Sequence, residues 1–240
     1  MKTLKVILLF LALPAFLLTS CKKEEDPPPE EITYKSPSAA GRTTVVDIPA
    51  GLTAKANGGD MNASIAVMYM NLANAISGFA TAFTIPDNAT VENKKSSSKV
   101  YHWTYSGYSY WMTYTELADK YTWKYEWETP EMPRFTYIMA EELKTGKGGS
   151  WTIYNPESTS SSLWTYTWSI NASNAFIANM SWNEGQVVST FDVISNADHS
   201  GSFIYKEASV KQAEINWTPT GSGTYWLKGD GASDITGSWS

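Results

Sequence analysis

The chain has 240 residues, with 18 basic and 24 acidic side chains and a formal net charge of −6. The basic residues form no clustered stripe along the sequence, which argues against a nucleic-acid partner. Tryptophan and tyrosine are unusually frequent, with 11 and 14 copies, whereas there is one cysteine. A disulfide within the chain is therefore excluded, and the aromatic excess is the main compositional clue.

The first 20 residues have the organisation of a secretory signal peptide. Lys2 and Lys5 precede an apolar run, Val6 to Leu18, which is interrupted only by Pro14. The run is about 13 residues long, whereas a helix needs about 20 residues to cross the hydrocarbon core of a membrane. The segment 1–20 therefore predicts a cleaved signal rather than a membrane helix.

The signal ends in Leu18-Thr19-Ser20-Cys21, which resembles the lipobox of bacterial lipoproteins. The resemblance implies that the bond between Ser20 and Cys21 is cleaved and that Cys21 is acylated on its thiol. Each buried methylene of such lipid chains contributes about 0.8 kcal/mol to membrane binding. A plain secretory signal with an incidental cysteine is the alternative.

Residues 21–59 are predicted to be a lipidated tether and lead-in. Cys21 is followed by charged residues and by Pro27, Pro28 and Pro29, a composition that cannot bury a core. A cysteine before a short acidic run is also similar to the surface-export signal of Bacteroidota outer-membrane lipoproteins. That resemblance implies an outer-membrane, lipid-anchored protein exposed at the cell surface. Acidic residues that simply keep the tether soluble are the alternative, which leaves the membrane face open.

Residues 60–240 are predicted to form a single β-rich domain that begins with one helix, 61–83. Asp60 is a suitable N-cap, and no proline occurs before Pro86. The remaining positions are mostly small or amide residues, so a second surface can approach the helix closely. An ordinary core helix and a lid over a ligand cavity both fit this pattern. Apolar side chains recur every three or four residues, as in a helix with one buried face; they are Ile65, Tyr69, Leu72, Ile76, Phe79 and Phe83.

About ten strands are predicted after residue 99, whereas 88–99 and most of 32–59 are expected to be irregular. Turn-forming residues such as Ser106-Gly107 separate the strands. Links this short favour hairpins, because a parallel return needs about a dozen residues or more. The predicted fold class is mainly β, an antiparallel meander forming a curved sheet or half-barrel with the helix packed on it. This outline is similar to the bacterial lipoprotein-carrier fold, although no motif is shared.

The stretch Tyr121 to Glu128, YTWKYEWE, is the clearest strand, and its rhythm recurs in LWTYTW at 163–168. Its odd positions are aromatic and its even positions are polar, so one strand face carries only rings. Three interpretations stay open: packing against the helix, the lining of a cavity for an apolar ligand, or exposed platforms for sugar rings. The candidate ligand-binding residues are Trp123, Tyr125, Trp127, Trp164, Tyr166 and Trp168 on the strands, with Ile76 and Phe79 on the helix.

The sequence contains no pattern that supports catalysis or metal binding. His102 and His199 are the only histidines, too few for a zinc site with three histidine ligands. Glu126 and Glu128 are about 7 Å apart on one strand face, but that face is expected to be solvated and to form ion pairs with Lys124.

We therefore expect a protein without enzymatic activity, cofactor or metal. Its expected partners are the membrane, through the lipid anchor, and either a hydrophobic small molecule or a glycan. The hydrophobic ligand is expected between the helix and the aromatic sheet face, whereas a glycan would use exposed Trp and Tyr side chains. A purely structural envelope protein is a further alternative, and the oligomeric state is left open.

Overall fold

The structure is a computed structural model that describes residues 32–37, 46–75, 82–95, 97–156, 158–185, 187–231 and 233–240. The predicted signal peptide, Cys21, and the helical positions Ile76 and Phe79 lie outside the described residues. The chain from Ile32 to Ser240 forms one compact unit. Within the described ranges, no helix is long and apolar enough to cross a membrane.

Thirteen strands of the described chain form one antiparallel sheet, in which each strand pairs with the next along the sequence. The predicted mainly β meander is confirmed, and the sheet is open, with β1 and β13 at its two edges. The strands are β1 Thr90–Lys95, β2 Ser98–Tyr105, β3 Tyr108–Glu116, β4 Lys120–Thr129, β5 Met132–Leu143, β6 Gly148–Asn155, β7 Ser158–Ile170, β8 Phe176–Glu184, β9 Val187–Ser195, β10 Gly201–Glu207, β11 Val210–Trp217, β12 Gly223–Leu227 and β13 Ile235–Trp239.

Three elements occur where the sequence predicts irregular structure or turns. Helix α1, Ala50–Asn57, follows Pro49 and has no side-chain cap, so the usual signal for a helix start is missing. β1 lies in the polar stretch that is expected to be a loop, and β13 follows a polar turn. Both strands are sheet edges, where one side of the strand has no neighbour and polar side chains are common. Their alternation of apolar and polar residues is correspondingly weak.

The first part of the predicted helix 61–83 is present as α2, Met61–Ala75, and its cap is formed as expected. Residues 76–81 lie outside the described residues, and 82–83 form a 3₁₀ turn. The Asp60 carboxylate accepts a hydrogen bond from the backbone N–H of Ala63 at 2.9 Å. The buried face differs from the expected stripe, because Ala63, Ala66 and Met70 are fully buried, whereas Leu72 is exposed. Small side chains permit a close approach to the neighbouring strands, and this close approach decides which helix face is buried. The strands that contact the helices most are β12 and β13.

The core lies on one face of the sheet, which we call the covered face because the helices and the segment 32–37 pack on it. Trp123 and Phe203 project from this face and are almost completely buried. The opposite face, which we call the reverse face, carries Trp111 and Trp226. Strand pairing keeps the alternation in phase across the sheet, so that each face is continuous from β2 to β12.

Candidate ligand-binding surface

All six candidate residues on the strands project from the covered face, but the structure divides them into two groups. Trp123, Tyr166 and Trp168 are 1%, 3% and 4% exposed. The other three candidates, Tyr125, Trp127 and Trp164, are only half-buried. Residues of one strand therefore belong partly to the core and partly to an accessible surface.

Trp123 belongs to the buried group because the chain before the helices covers it. Its indole N–H donates to the backbone carbonyl of Lys35 at 2.7 Å. The ring of Phe83 packs edge-on against Trp123 and Trp151, with centroid distances of 6.3 and 5.8 Å. Phe83 is itself fully buried. The contact between Phe83 and Trp123 joins the end of the predicted helical stretch to the aromatic strand.

Seven rings of β2 to β5 form a continuous layer, which we call the aromatic terrace; five are half-buried, Tyr108 is exposed and Phe135 is buried. Trp103 stacks on Tyr110 at 5.7 Å, and Trp127 stacks on Tyr137 at 5.4 Å. Tyr125 joins these two stacks, since its ring lies 6.0 Å from both Trp103 and Tyr110 and 6.4 Å from Tyr137. The terrace consists of Trp103, Tyr108, Tyr110, Tyr125, Trp127, Phe135 and Tyr137.

Cross-strand pairing builds the terrace. Tyr110 lies directly opposite Trp103 on one side and Trp127 on the other. Phe135 lies opposite Trp127 on the next strand, so four strands contribute rings at the same level. A β-bulge in β5 leaves Tyr137 unpaired, and its ring joins the same face as the ring of Phe135. The bulge thus adds one ring to the layer.

The terrace carries no formal charge. Burial raises the pKa of the Tyr125 phenol, and the neighbouring Tyr110 and Tyr137 raise it further. Burial also raises the pKa of Tyr110, so both phenols stay neutral at physiological pH. The indole nitrogen of Trp127 is buried and has no hydrogen-bond partner within the part of the chain that the structure describes.

The terrace is open at the hairpin end of the strands. Tyr108 is 38% exposed, and Tyr105 at the neighbouring turn is 72% exposed. A contiguous layer of apolar rings at the surface is the kind of patch that marks a binding site. Trp164 stacks on Trp182 at 5.1 Å on the same face, beyond β6, and forms a separate aromatic pair.

The polar side chains of β4 and β5 point to the reverse face. The prediction that this face is solvated is wrong for Glu126. Glu126 forms ion pairs with Arg134 at 2.6 Å and with Lys124 at 3.1 Å, but it is buried rather than solvated. The Arg134 guanidinium lies 4.2 Å from the Trp111 ring centroid and helps to cover the carboxylate. Burial raises the pKa of Glu126, but the hydrogen bonds from Arg134 and Lys124 outweigh this effect and lower it.

Most of the terrace lies outside the candidate residues named from the sequence. Trp103 and Tyr110 belong to the stretch WTYSGYSY, whose aromatic rhythm matches that of β4, so alternation on adjacent strands was the available signal. Among the described residues, no group of three histidine, cysteine or acidic side chains is placed to hold a metal ion. No protein-family model and no curated protein matches this sequence.

Proposed function

We propose that this protein is a non-enzymatic, lipid-anchored protein of the bacterial outer membrane that binds an apolar ligand on the aromatic terrace. The lipobox at Cys21 supports the anchor. The observation that carries the ligand-binding part is the terrace itself, seven uncharged rings in contact with one another, six of which are partly accessible. Covering such a surface with an apolar molecule releases about 25 cal/mol for each square ångström removed from water.

The polar groups of the terrace favour an apolar ligand over a sugar. They are limited to the tyrosine hydroxyls and the indole N–H groups of Trp103 and Trp127. A sugar ring loses water from several hydroxyls when it binds, and each buried hydroxyl then needs a partner. A flat hydrophobic molecule has no such hydroxyls, so it needs few polar partners on the protein. We therefore infer a flat, largely apolar ligand that packs on the rings around Trp127.

The terrace also differs from the buried part of the same face. Around Trp123 the rings are sealed by Phe83 and by the backbone at Lys35, so they act as core packing. Around Trp127 the ring contacts are made with other terrace residues. A ligand at this position would cover the Trp127 ring, as the segment that contains Lys35 covers Trp123.

Fluorescence titration with N-phenyl-1-naphthylamine, an apolar aromatic probe, tests the proposal. We expect saturable binding by the purified protein and at least a tenfold weaker affinity in Trp127→Leu. Trp164→Leu is the matched control, because it removes a half-buried tryptophan from the same face outside the terrace and should change the affinity less than twofold. Absence of binding by the wild-type protein, or equal losses in the two variants, would contradict the proposal.

A further inference from the structure

A second candidate site, with one tryptophan among polar side chains, lies on the reverse face, at the opposite end of the sheet from the terrace. It is a cavity of about 630 Å³ on β11, β12 and β13. This volume lies within the range of about 300 to 1,000 Å³ that is usual for small-molecule sites. The side chains that line it and project from the reverse face are Trp226, Lys211, Glu214, Asn216, Thr224, Thr236 and Ser238.

The strand register surrounds Trp226 with polar groups. Trp226 lies directly opposite Glu214 on β11 and Thr236 on β13. The next row on the same face brings Asn216, Thr224 and Ser238 into line. One aromatic ring is thus bordered by a carboxylate, an amide and hydroxyl groups.

The Trp226 ring already attracts a positively charged group to its face. Lys211 Nζ lies 4.3 Å from the ring centroid. The same ammonium lies 2.6 Å from Glu214 Oε2, and Asn216 donates to Glu214 Oε1 at 3.2 Å. The electron-rich face of an indole attracts positively polarised groups, and the C–H bonds of a sugar ring are such groups.

We propose that this cavity is a carbohydrate-binding site, in which a sugar ring displaces the Lys211 ammonium from the Trp226 ring and stacks there. Its hydroxyls then bond to Glu214 and Asn216, in place of the contact between Lys211 and Glu214. A hydroxyl both donates and accepts, a carboxylate accepts, and an amide does both, so this set matches adjacent sugar hydroxyls. The charges of Lys211 and Glu214 cancel, which favours a neutral saccharide. The terrace has no comparable set of polar groups, so the two surfaces select different ligands.

The cluster around Trp111 provides the matched comparison on the same face. Arg134 lies 4.2 Å from the Trp111 ring centroid, much as Lys211 lies over Trp226. Trp111 does not line the neighbouring cavity, which is bordered by Arg134 and Tyr154 among others. Glu126 is buried beneath its two cations, whereas Glu214 is about one-third exposed. The Trp111 ring also stacks on His102 at 4.8 Å, so it is contacted by two side chains and lies beside a buried carboxylate, which leaves less room for a sugar.

Isothermal titration of the purified protein with cellohexaose, xylohexaose, mannohexaose and laminarihexaose tests this site. We expect binding of at least one of these neutral saccharides, at least a tenfold weaker affinity in Trp226→Ala, and less than a twofold change in Trp111→Ala. Trp127→Leu should leave saccharide binding unchanged, so that failure of this site and failure of the terrace can be told apart.

Two results would overturn the carbohydrate site. One is the absence of binding by the wild-type protein to all four saccharides. The other is a folded Trp226→Ala variant that keeps wild-type affinity. If circular dichroism shows that Trp226→Ala is unfolded, Glu214→Ala decides the matter: loss of affinity supports the site, and retention refutes it.

Discussion

The indole N–H of Trp123 donates to the backbone carbonyl of Lys35 across 2.7 Å. This bond ties the central aromatic strand to the segment that precedes the helices, and it marks where the covered face is sealed. Trp127 lies on the same strand and the same face, yet its indole N–H has no partner among the described residues. On this strand, Trp123 thus belongs to the core and Trp127 to the proposed binding surface.

The Trp123 bond should make a measurable contribution to stability. We predict that Trp123→Phe lowers the free energy of unfolding by about 2 to 4 kcal/mol, because it removes a buried hydrogen bond and leaves a small cavity. Trp127→Phe, which removes an unpaired N–H from a half-buried ring, should cost less than about 1 kcal/mol. Urea denaturation of both variants checks this. Equal losses in the free energy of unfolding would contradict a stabilising role of the Trp123 hydrogen bond.

Glu126 should make stability depend on acidic pH. Its folded-state pKa is lowered, so its contribution is present above the unfolded pKa of about 4.3 and is lost as pH falls through the folded value. Glu126→Gln should lower the free energy of unfolding at pH 7 by about 1 to 3 kcal/mol, because Arg134 and Lys124 lose their partner.

The test for Glu126 is urea denaturation between pH 7 and pH 3. The wild-type protein should lose stability over this range, and Glu126→Gln should lose less. Lys206→Gln, which breaks an ion pair with Asp192 at 2.8 Å between half-exposed side chains, is the control and should have a smaller effect at pH 7. Parallel pH profiles for the wild type and Glu126→Gln would contradict the assignment.

Tyr34 should make stability fall at alkaline pH. Burial raises its pKa from 10.0 to about 12, with hydrogen bonding to Ser36 opposing the effect and Tyr101 adding to it. The unfolded chain releases this proton at lower pH than the folded chain, so stability is lost as pH rises from about 10 to about 12. Tyr34→Phe removes one titrating group and should make this decline less steep in thermal unfolding experiments; Tyr110 and Tyr125, whose pKa values are also raised, account for part of the remainder. An unchanged slope would show that Tyr34 is not the responsible group.

Gly237 should be intolerant of a side chain. A Cβ atom added there would lie 2.2 Å from the Tyr225 ring, which packs over the glycine on the covered face. Gly237→Ala should lower the free energy of unfolding by about 1 to 3 kcal/mol because Tyr225 must move. Ser238→Ala on the same strand is the control, and its effect should lie within about 0.5 kcal/mol of zero. Thermal unfolding of both variants distinguishes them.

Sequence patterns were sufficient for the strands whose two faces differ sharply in polarity. The alternation around Trp123 and Trp127 correctly placed both rings on one face, because successive side chains of a regular strand point to opposite faces. It could not say that Trp123 is covered and Trp127 is open, since that depends on where the chain at Lys35 crosses the sheet. Burial is set by contacts distant in sequence, and alternation carries no information about them.

Three features of the structure could not be predicted from the sequence, each for a physical reason. A β-bulge places the Tyr137 ring on the terrace. The bulge interrupts the alternation of side chains between the two sheet faces, so alternation could not predict the face of Tyr137. In α2 the fully buried residues include Ala63 and Ala66, because close approach to the sheet favours small side chains over the larger ones at the expected positions. Glu126 reads as a surface residue, yet Arg134 and Lys124 allow its burial by neutralising it.

The central claim is that the terrace around Trp127 holds an apolar ligand. Its most direct test is extraction of the protein, purified from envelope membranes without added lipid, with organic solvent, followed by mass spectrometry of the extract. We predict an apolar molecule at about one copy per chain in the wild-type extract and its loss in Trp127→Leu, with Trp164→Leu unchanged. A blank wild-type extract, or the same molecule at the same amount in Trp127→Leu, would contradict the claim.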